Sequence, residues 1–173
     1  MGRQLGRAAA PNHYRGIAAP HTVKSMIITF WVSIKEIEEQ GRDFRWPRPD
    51  SCPCCHGDRL WGHGFVWVYY DDFPGGIWLR RYRCPLCGAV HRLKPVGYFP
   101  RFQASISQIR ETLSYRVRLG GWPPGVCRVR CGHWLKSLRR QVMAWFGQGY
   151  MGRLLSCFDR LILLGRIPVS RAI

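Results

Sequence analysis

The sequence predicts an α+β fold, in which a small β module is followed by a small helical domain. β-branched and aromatic residues dominate positions 26–34, as is typical of strands, and further strands are predicted at 64–70 and 77–83. Two C-P-x-C motifs bracket the last two of these segments. After residue 100, apolar residues recur every three or four positions, which is the helical period.

The chain divides into four segments. Residues 1–25 are rich in Gly, Ala, Arg and Pro without either period, and are predicted to be a disordered N-terminal extension. Residues 26–100 contain the first strand and the cysteine module, with a turn at 71–76 and a short last strand at 89–93. Residues 101–167 form a basic helical domain, and residues 168–173 a C-terminal tail.

Three helices are predicted in the helical domain. Ser105 begins the first at capping-box spacing from Gln108, and Gly120 stops it. The second covers residues 132–146 and the third 151–164. The residues expected on their buried faces are Ile106, Ile109, Leu113, Leu135, Leu138, Val142, Leu154, Leu155, Phe158, Leu161 and Ile162.

Positive charge is concentrated in the second part of the chain. Residues 1–76 carry nine Lys/Arg against eight Asp/Glu, and residues 77–173 carry eighteen against two. A strongly one-sided surface is expected to meet a polyanion, so nucleic acid is the predicted partner. Arginine outnumbers lysine twenty-three to four, which suits phosphate and guanine recognition, although a GC-rich genome would also favour arginine codons.

The sequence has no signal-peptide pattern and no apolar run of membrane-spanning length, so a cytoplasmic protein is expected. Thiols stay reduced in that compartment, where clustered cysteines more often bind metal than form disulfides.

Two matching motifs, Cys52-Pro-Cys-Cys55 and Cys84-Pro-Leu-Cys87, are separated by 28 residues. A two-residue spacer lets a tight turn present both thiolates to one metal, and Zn²⁺ takes four such ligands in a tetrahedron. We therefore predict an N-terminal β zinc ribbon with one structural Zn²⁺ on Cys52, Cys55, Cys84 and Cys87. Cys54 competes as a ligand, and His56 and His63 are weaker competitors. Ordinary reduced cysteines or a redox pair are the alternative reading.

A second cysteine group, Cys127, Cys131 and His133, lacks a convincing fourth ligand. Cys157 lies on an apolar helix face. All three of these cysteines are expected to pack in the fold, with metal binding as the minority alternative.

A Gly/Pro segment at 120–125 joins two predicted helices, which favours a helix-turn-helix with 132–146 as the recognition helix. The candidate nucleic-acid contacts are Arg116, Arg118, Arg128, Arg130, Lys136, Arg139 and Arg140. A solvated charged face on an ordinary bundle is the alternative. On the hairpin, Trp67, Tyr69, Trp78 and Tyr82 could stack on unpaired bases or form the module's own core.

The segments CPCC, RRYRCPLCGAVHRL, KPVGYFPRFQASI and GHWLKSLRRQV together resemble small bacterial, transposase-like proteins encoded by or beside insertion sequences. The resemblance runs from Met26 to the C-terminal PVSRAI. It implies a zinc ribbon with a helix-turn-helix, metal cysteines at the four positions above, and binding of double-stranded DNA in a mobile-element context, with a transposase or another protein of the same element as a possible partner. One departure is that glycine follows Cys87, whereas His56 follows Cys55.

The sequence favours a binding protein over an enzyme. A two-metal nuclease site needs several carboxylates, and only Glu111 and Asp159 lie beyond residue 76. No nucleophile sits in a recognisable elbow with a histidine and an acid. The alternative function is a zinc-ribbon adaptor between proteins, or an RNA-binding accessory protein.

Overall fold

The computed structural model describes residues 26–171. The predicted N-terminal extension and the last two residues of the predicted tail lie outside this range. The described chain is mixed α+β, with a four-stranded sheet and four α-helices.

The sheet has the strand order β1-β4-β3-β2. Its strands are β1 Met26–Phe30, β2 Trp61–Tyr69, β3 Gly76–Arg83 and β4 Val90–Pro95. β1 pairs with β4 in parallel, and the other two pairings are antiparallel. β1 is shorter than predicted because Ser33 accepts the Glu36 N–H and so begins helix α1, Ile34–Gln40.

The helical part contains α2 Ile106–Leu119, α3 Arg128–Phe146 and α4 Leu154–Leu163. Ser105 begins α2 as predicted, accepting the Gln108 N–H at 3.2 Å, and Gly120 ends it with φ 71°. α3 starts earlier than predicted, at Arg128, and a 3₁₀ segment, Gln148–Arg153, precedes α4. None of the helices within residues 26–171 is both long enough and apolar enough to cross a bilayer.

The predicted inward faces of the three helices meet in one apolar cluster. Its fully buried members include Ile109, Leu113, Leu138, Val142, Phe158 and Leu161. Cys131 and Trp134 of α3 join it, as do Phe99 and Phe102 from the segment after β4. Burying each large apolar side chain contributes about 1.5–3 kcal/mol, so this cluster fixes which face of α3 remains in solvent.

Lys94 connects the sheet to the helical cluster. It lies near the end of β4 and is only 1% exposed. Its ammonium donates to the carbonyl oxygens of Phe99 (2.5 Å) and Phe102 (2.9 Å), and lies 5.6 and 5.5 Å from the ring centroids of Tyr70 and Tyr98. These bonds hold the connecting segment whose phenylalanines enter the helical cluster. Burial, with the nearby charge of Arg92, lowers the pKa of Lys94 to about 8.

The lowered pKa of Lys94 predicts a specific pH dependence of stability. Above pH 8 the folded protein loses this proton while the unfolded chain, with a lysine pKa near its ordinary 10.5, keeps it. The free energy of unfolding of the parent should therefore rise between pH 8 and 10 relative to that of Lys94→Met. Denaturant titrations across this range measure the difference.

The matched control is Lys136→Met, which removes an exposed lysine and should follow the parent. A constant difference between the parent and Lys94→Met from pH 7 to 10 would contradict the assignment.

Candidate metal centre and basic helices

The four cysteines of the two motifs converge at one end of the hairpin. The Sγ atoms of Cys52, Cys55, Cys84 and Cys87 all lie within 4.8 Å of one another. Cys52 and Cys87 Sγ are 3.7 Å apart, and Cys55 and Cys84 Sγ are 3.5 Å apart. A tetrahedron with metal–sulfur bonds of about 2.3 Å has edges of about 3.8 Å, so this cluster is compatible with a single structural metal site.

The two motifs fold into equivalent turns. The His56 N–H donates to the Cys52 carbonyl (2.8 Å), and the Gly88 N–H donates to the Cys84 carbonyl (3.0 Å). In each turn the first cysteine's own N–H donates to the carbonyl five residues on, at 2.8 and 2.9 Å. His56 and Gly88 both adopt left-handed backbone, with φ of 60° and 72°. A histidine where the second motif has glycine therefore leaves the geometry of the first turn unchanged.

The centre is closed on the side of the sheet. Cys52 and Cys84 are fully buried and pack with Leu60, Tyr82 and Leu93, while Cys55 is exposed. A closed four-sulfur set leaves no coordination position for water, which is the arrangement of structural rather than catalytic sites.

The thiols of the cluster do not share one pKa. Burial opposes ionisation of Cys84, but backbone N–H groups of Cys87 and Leu86 donate to its sulfur, and its pKa falls to about 7. For Cys55, the Gly57 N–H favours the thiolate, but partial desolvation of the sulfur within the cluster and the neighbouring sulfurs outweigh it and raise the pKa to about 12. Metal binding at this centre must therefore release protons.

His91 is a residue of the centre that the sequence analysis did not single out. It is fully buried on β4, and its Nε2 lies 3.2 Å from Cys52 Sγ. Burial lowers its pKa, and its Nδ1 has no hydrogen-bond partner among the described residues. Cys52, Cys54 and His91 form a second, overlapping group of potential ligands. The sequence signal that could have identified His91 was the alternation of side chains along β4, which places His91 on the same face as the buried Leu93.

Cys127, Cys131 and His133 do not form a metal-ligand group in the part of the chain that the structure describes. Cys131 and Cys157 are buried, as predicted, and burial raises the pKa of both thiols. Cys127 differs from the prediction, because it is exposed at the start of α3.

The candidate nucleic-acid-binding residues fall into two groups, one without ion pairs among the described residues and one with partners within the protein. Arg118, Arg128, Lys136, Arg139 and Arg140 are exposed, and within residues 26–171 none of them forms an ion pair. The last four of these lie on α3, so Arg128 belongs to the helix rather than to the segment before it. These four residues are called the α3 basic face below.

Arg116 and Arg130 have partners within the protein. The Arg116 guanidinium donates to the Gly120 carbonyl and lies 5.3 Å from the Trp122 ring centroid. Arg130, also inside α3, pairs with Asp71 at 2.8 Å, and its guanidinium lies 5.1 Å from the ring centroid of the buried Trp134. Arg130 thus joins α3 to the β2–β3 turn.

The aromatic residues of the β2–β3 hairpin differ in their exposure. Tyr82 is buried in the cluster beside the cysteines, so it belongs to the core. Trp67 and Tyr69 are exposed, with ring centroids 6.3 Å apart, and Trp67 also contacts Trp78 at 4.9 Å.

Comparisons with protein-family models, with curated proteins and with solved structures found no match to this chain. The interpretation of the site therefore depends on its own geometry and chemistry.

The left-handed turns predict opposite responses to substitution at equivalent positions. A Cβ at Gly88 would meet no atom within 4 Å, so Gly88→Ala costs only backbone strain, about 1–2 kcal/mol of unfolding free energy. His56→Gly relieves the same strain and should stabilise by up to about 1 kcal/mol. Chemical denaturation of the metal-loaded proteins measures both. Loss of metal from His56→Gly would show instead that the imidazole is a ligand.

The two overlapping ligand groups predict different variants to lose metal. If the four motif cysteines bind it, Cys84→Ser loses the metal and Cys54→Ser keeps about one ion per chain with four sulfur ligands. Elemental analysis and X-ray absorption at the metal edge test this. The converse pattern, with a nitrogen ligand lost in His91→Phe, would assign the centre to Cys52, Cys54 and His91.

Proposed function

We propose that this chain is a non-catalytic DNA-binding protein in which a zinc ribbon supports a basic helix-turn-helix. The observation that carries the proposal is the α3 basic face: four exposed cations without ion pairs among the described residues. It lies in a region with eighteen Lys/Arg and two acids. One of those acids, Asp159, is held by Arg110 through two bonds of 2.7 Å, so it neutralises none of the face.

Zn²⁺ is the metal that the ligand chemistry favours. Four thiolates are soft ligands, and a closed tetrahedral sulfur site is typical of structural zinc. The turns that hold the cysteines flank an antiparallel hairpin, which supports the proposal of a zinc ribbon. The bound ion would offset the charge of thiolates packed within 4.8 Å of one another, and its binding energy would become folding energy.

The packing of α3 supports its role as the recognition helix. One face, including Leu135, Leu138 and Val142, is buried against the other helices, so the opposite face is held rigidly in solvent. Residues 120–127 connect α2 to α3 and begin with the left-handed Gly120. Arg118, at the end of α2, is exposed and would be available for contacts to phosphate.

The non-catalytic character agrees with the state of the acids. The Arg110 guanidinium lowers the pKa of Asp159 and occupies both of its oxygens. A carboxylate used in this way is not available to hold a catalytic metal.

A mobile-element role, with a transposase or another protein of the same element as partner, comes from the sequence resemblance alone. It adds a context for the proposed DNA binding.

A zinc-ribbon adaptor that docks on another protein is the second candidate. Large apolar side chains are exposed in the helical part: Val129 of α3 is 71% exposed and Leu163 of α4 is 87% exposed. Such side chains favour a protein surface as partner more than a phosphate backbone. The adaptor would bind its partner with little salt dependence.

Replacing Arg139 and Arg140 with alanine tests the DNA-binding proposal. Both side chains are exposed, so the fold and the metal content should be retained. The affinity for duplex DNA should fall about tenfold or more, and the slope of log affinity against log salt should become shallower by about 1–2. Fluorescence anisotropy across a salt series measures both quantities.

The matched control removes two exposed arginines from the connection before the cysteine module, as Arg45→Ala/Arg48→Ala. It makes the same change in net charge and should bind like the parent. Equal losses of DNA affinity in both double variants would show that the effect depends on overall charge and not on the position of the arginines. No loss of affinity in Arg139→Ala/Arg140→Ala would show that α3 does not contact the DNA.

A further inference from the structure

A cavity of about 490 Å³ opens on the sheet, and none of its lining residues belongs to α3. It is lined by Ile27, His63, Val66, Arg81, Val90, Arg92 and Arg101. None of these residues is acidic, and three are arginines drawn from β3, β4 and the segment before α2. The cavity therefore combines a cluster of positive charge with apolar walls.

Arg81 and Arg92 stand directly opposite each other on neighbouring antiparallel strands. Directly opposed residues have Cβ atoms about 4.5–5.5 Å apart, and like charges at such positions destabilise a sheet. Both side chains are half-buried, which reduces the screening of their repulsion. An anion between the two guanidinium groups would turn this repulsion into attraction.

Two guanidinium groups of the cavity, those of Arg81 and Arg92, are incompletely satisfied within the described residues. The Nε atoms of Arg81 and Arg92 are buried without a hydrogen-bond partner among the described residues. The two ion pairs within residues 26–171 involve other arginines. On the opposite face of β3, by contrast, Arg80 covers the Phe65 ring at 4.7 Å. Buried polar atoms are nearly always satisfied, so these two donors are available to an acceptor in the cavity.

Two backbone irregularities shape the same cavity. The pairing of β2 with β3 shifts between Gly62 and Phe65, and this bulge carries His63, which lines the cavity. Arg101 has φ 66°, a left-handed conformation that is uncommon for a residue other than glycine. Bulges and strained residues both concentrate at binding sites, where they aim side chains.

We propose that this cavity binds the phosphate group of a nucleotide, held by Arg81, Arg92 and Arg101. Guanidinium forks match phosphate oxygens in pairs, and the orphaned Nε atoms supply donors for them. The cavity falls in the size range of small-molecule sites, so it accommodates more than a bare phosphate. Ile27, Val66 and Val90 form an apolar wall suited to the sugar or base.

The nucleotide is either free or part of a single-stranded nucleic acid, since both present the same phosphate chemistry. The proposal does not depend on the α3 basic face, because no residue is shared between the two surfaces.

The test compares the parent with Arg81→Gln/Arg92→Gln, using inorganic phosphate, a nucleoside monophosphate and a short single-stranded oligonucleotide. Isothermal titration calorimetry gives the affinities, and thermal denaturation gives the stabilisation by each ligand. We expect the parent to bind the monophosphate more tightly than phosphate, and phosphate to compete with it. The double variant should bind at least about tenfold more weakly. Without ligand it should melt at a higher temperature, since the opposed charges are gone.

Arg101→Gln provides a second variant at an exposed position, and it should also weaken binding. Arg139→Ala/Arg140→Ala is the control and should bind the monophosphate like the parent. Tighter binding of the oligonucleotide, lost in the cavity variants and kept in the control, would support the site and identify the source of the phosphate as nucleic acid. The proposal would be overturned if none of the three ligands bound, or if both cavity variants bound them as the parent does. Either outcome would be independent of whether α3 binds duplex DNA.

Discussion

The β module depends on the approach of two cysteine turns that lie far apart in the chain. One turn precedes β2 and the other follows β3, and antiparallel pairing from Trp61 opposite Arg83 brings these ends together. The pairing alone would place four sulfurs in near contact, with two of them fully buried. Ionised thiolates at such distances repel one another unless a cation lies among them. The proposed Zn²⁺ therefore both closes the hairpin and removes the repulsion that the hairpin creates.

A second constraint is how so many arginines are accommodated with so few acids. Some are neutralised, as in the pairs Arg110–Asp159 and Arg130–Asp71. Others cover aromatic rings, such as Arg80 on Phe65 and Arg166 on Trp145. Among the basic residues without such partners in the described chain, two groups are clustered: the exposed α3 basic face, and the arginines of the sheet cavity. Arg81 and Arg92 of the cavity are half-buried, whereas the α3 basic face is exposed, which is why duplex DNA is proposed for the face and a nucleotide phosphate for the cavity.

The connection between the sheet and the helices determines how these two surfaces are held. Lys94 bonds the carbonyls of Phe99 and Phe102, whose rings enter the helical cluster, while Tyr98 packs on the sheet side. The Asp71–Arg130 pair adds a bond between the β2–β3 turn and α3. A buried ammonium and a partly exposed ion pair thus help to join the sheet to the helices, whose buried apolar clusters are separate among the described residues.

The sequence by itself determined the features that depend on local spacing. The two C-P-x-C turns, the strands between them, the start of α2 at Ser105 and the buried positions of the helices all follow from short-range chemistry or from a simple period. The four motif cysteines were expected as one group for the same reason, and the structure brings them together.

Only the tertiary structure decided which partner each long side chain would find. Arg130 and Arg139 are alike in sequence, yet one pairs with an aspartate 59 positions earlier and the other faces solvent. His91 became part of the cysteine centre, and Arg81 and Arg92 became neighbours, only when β4 paired with β3 in one register. Strand register and helix docking are set by the sum of many weak contacts across the whole chain, so no local pattern contains them.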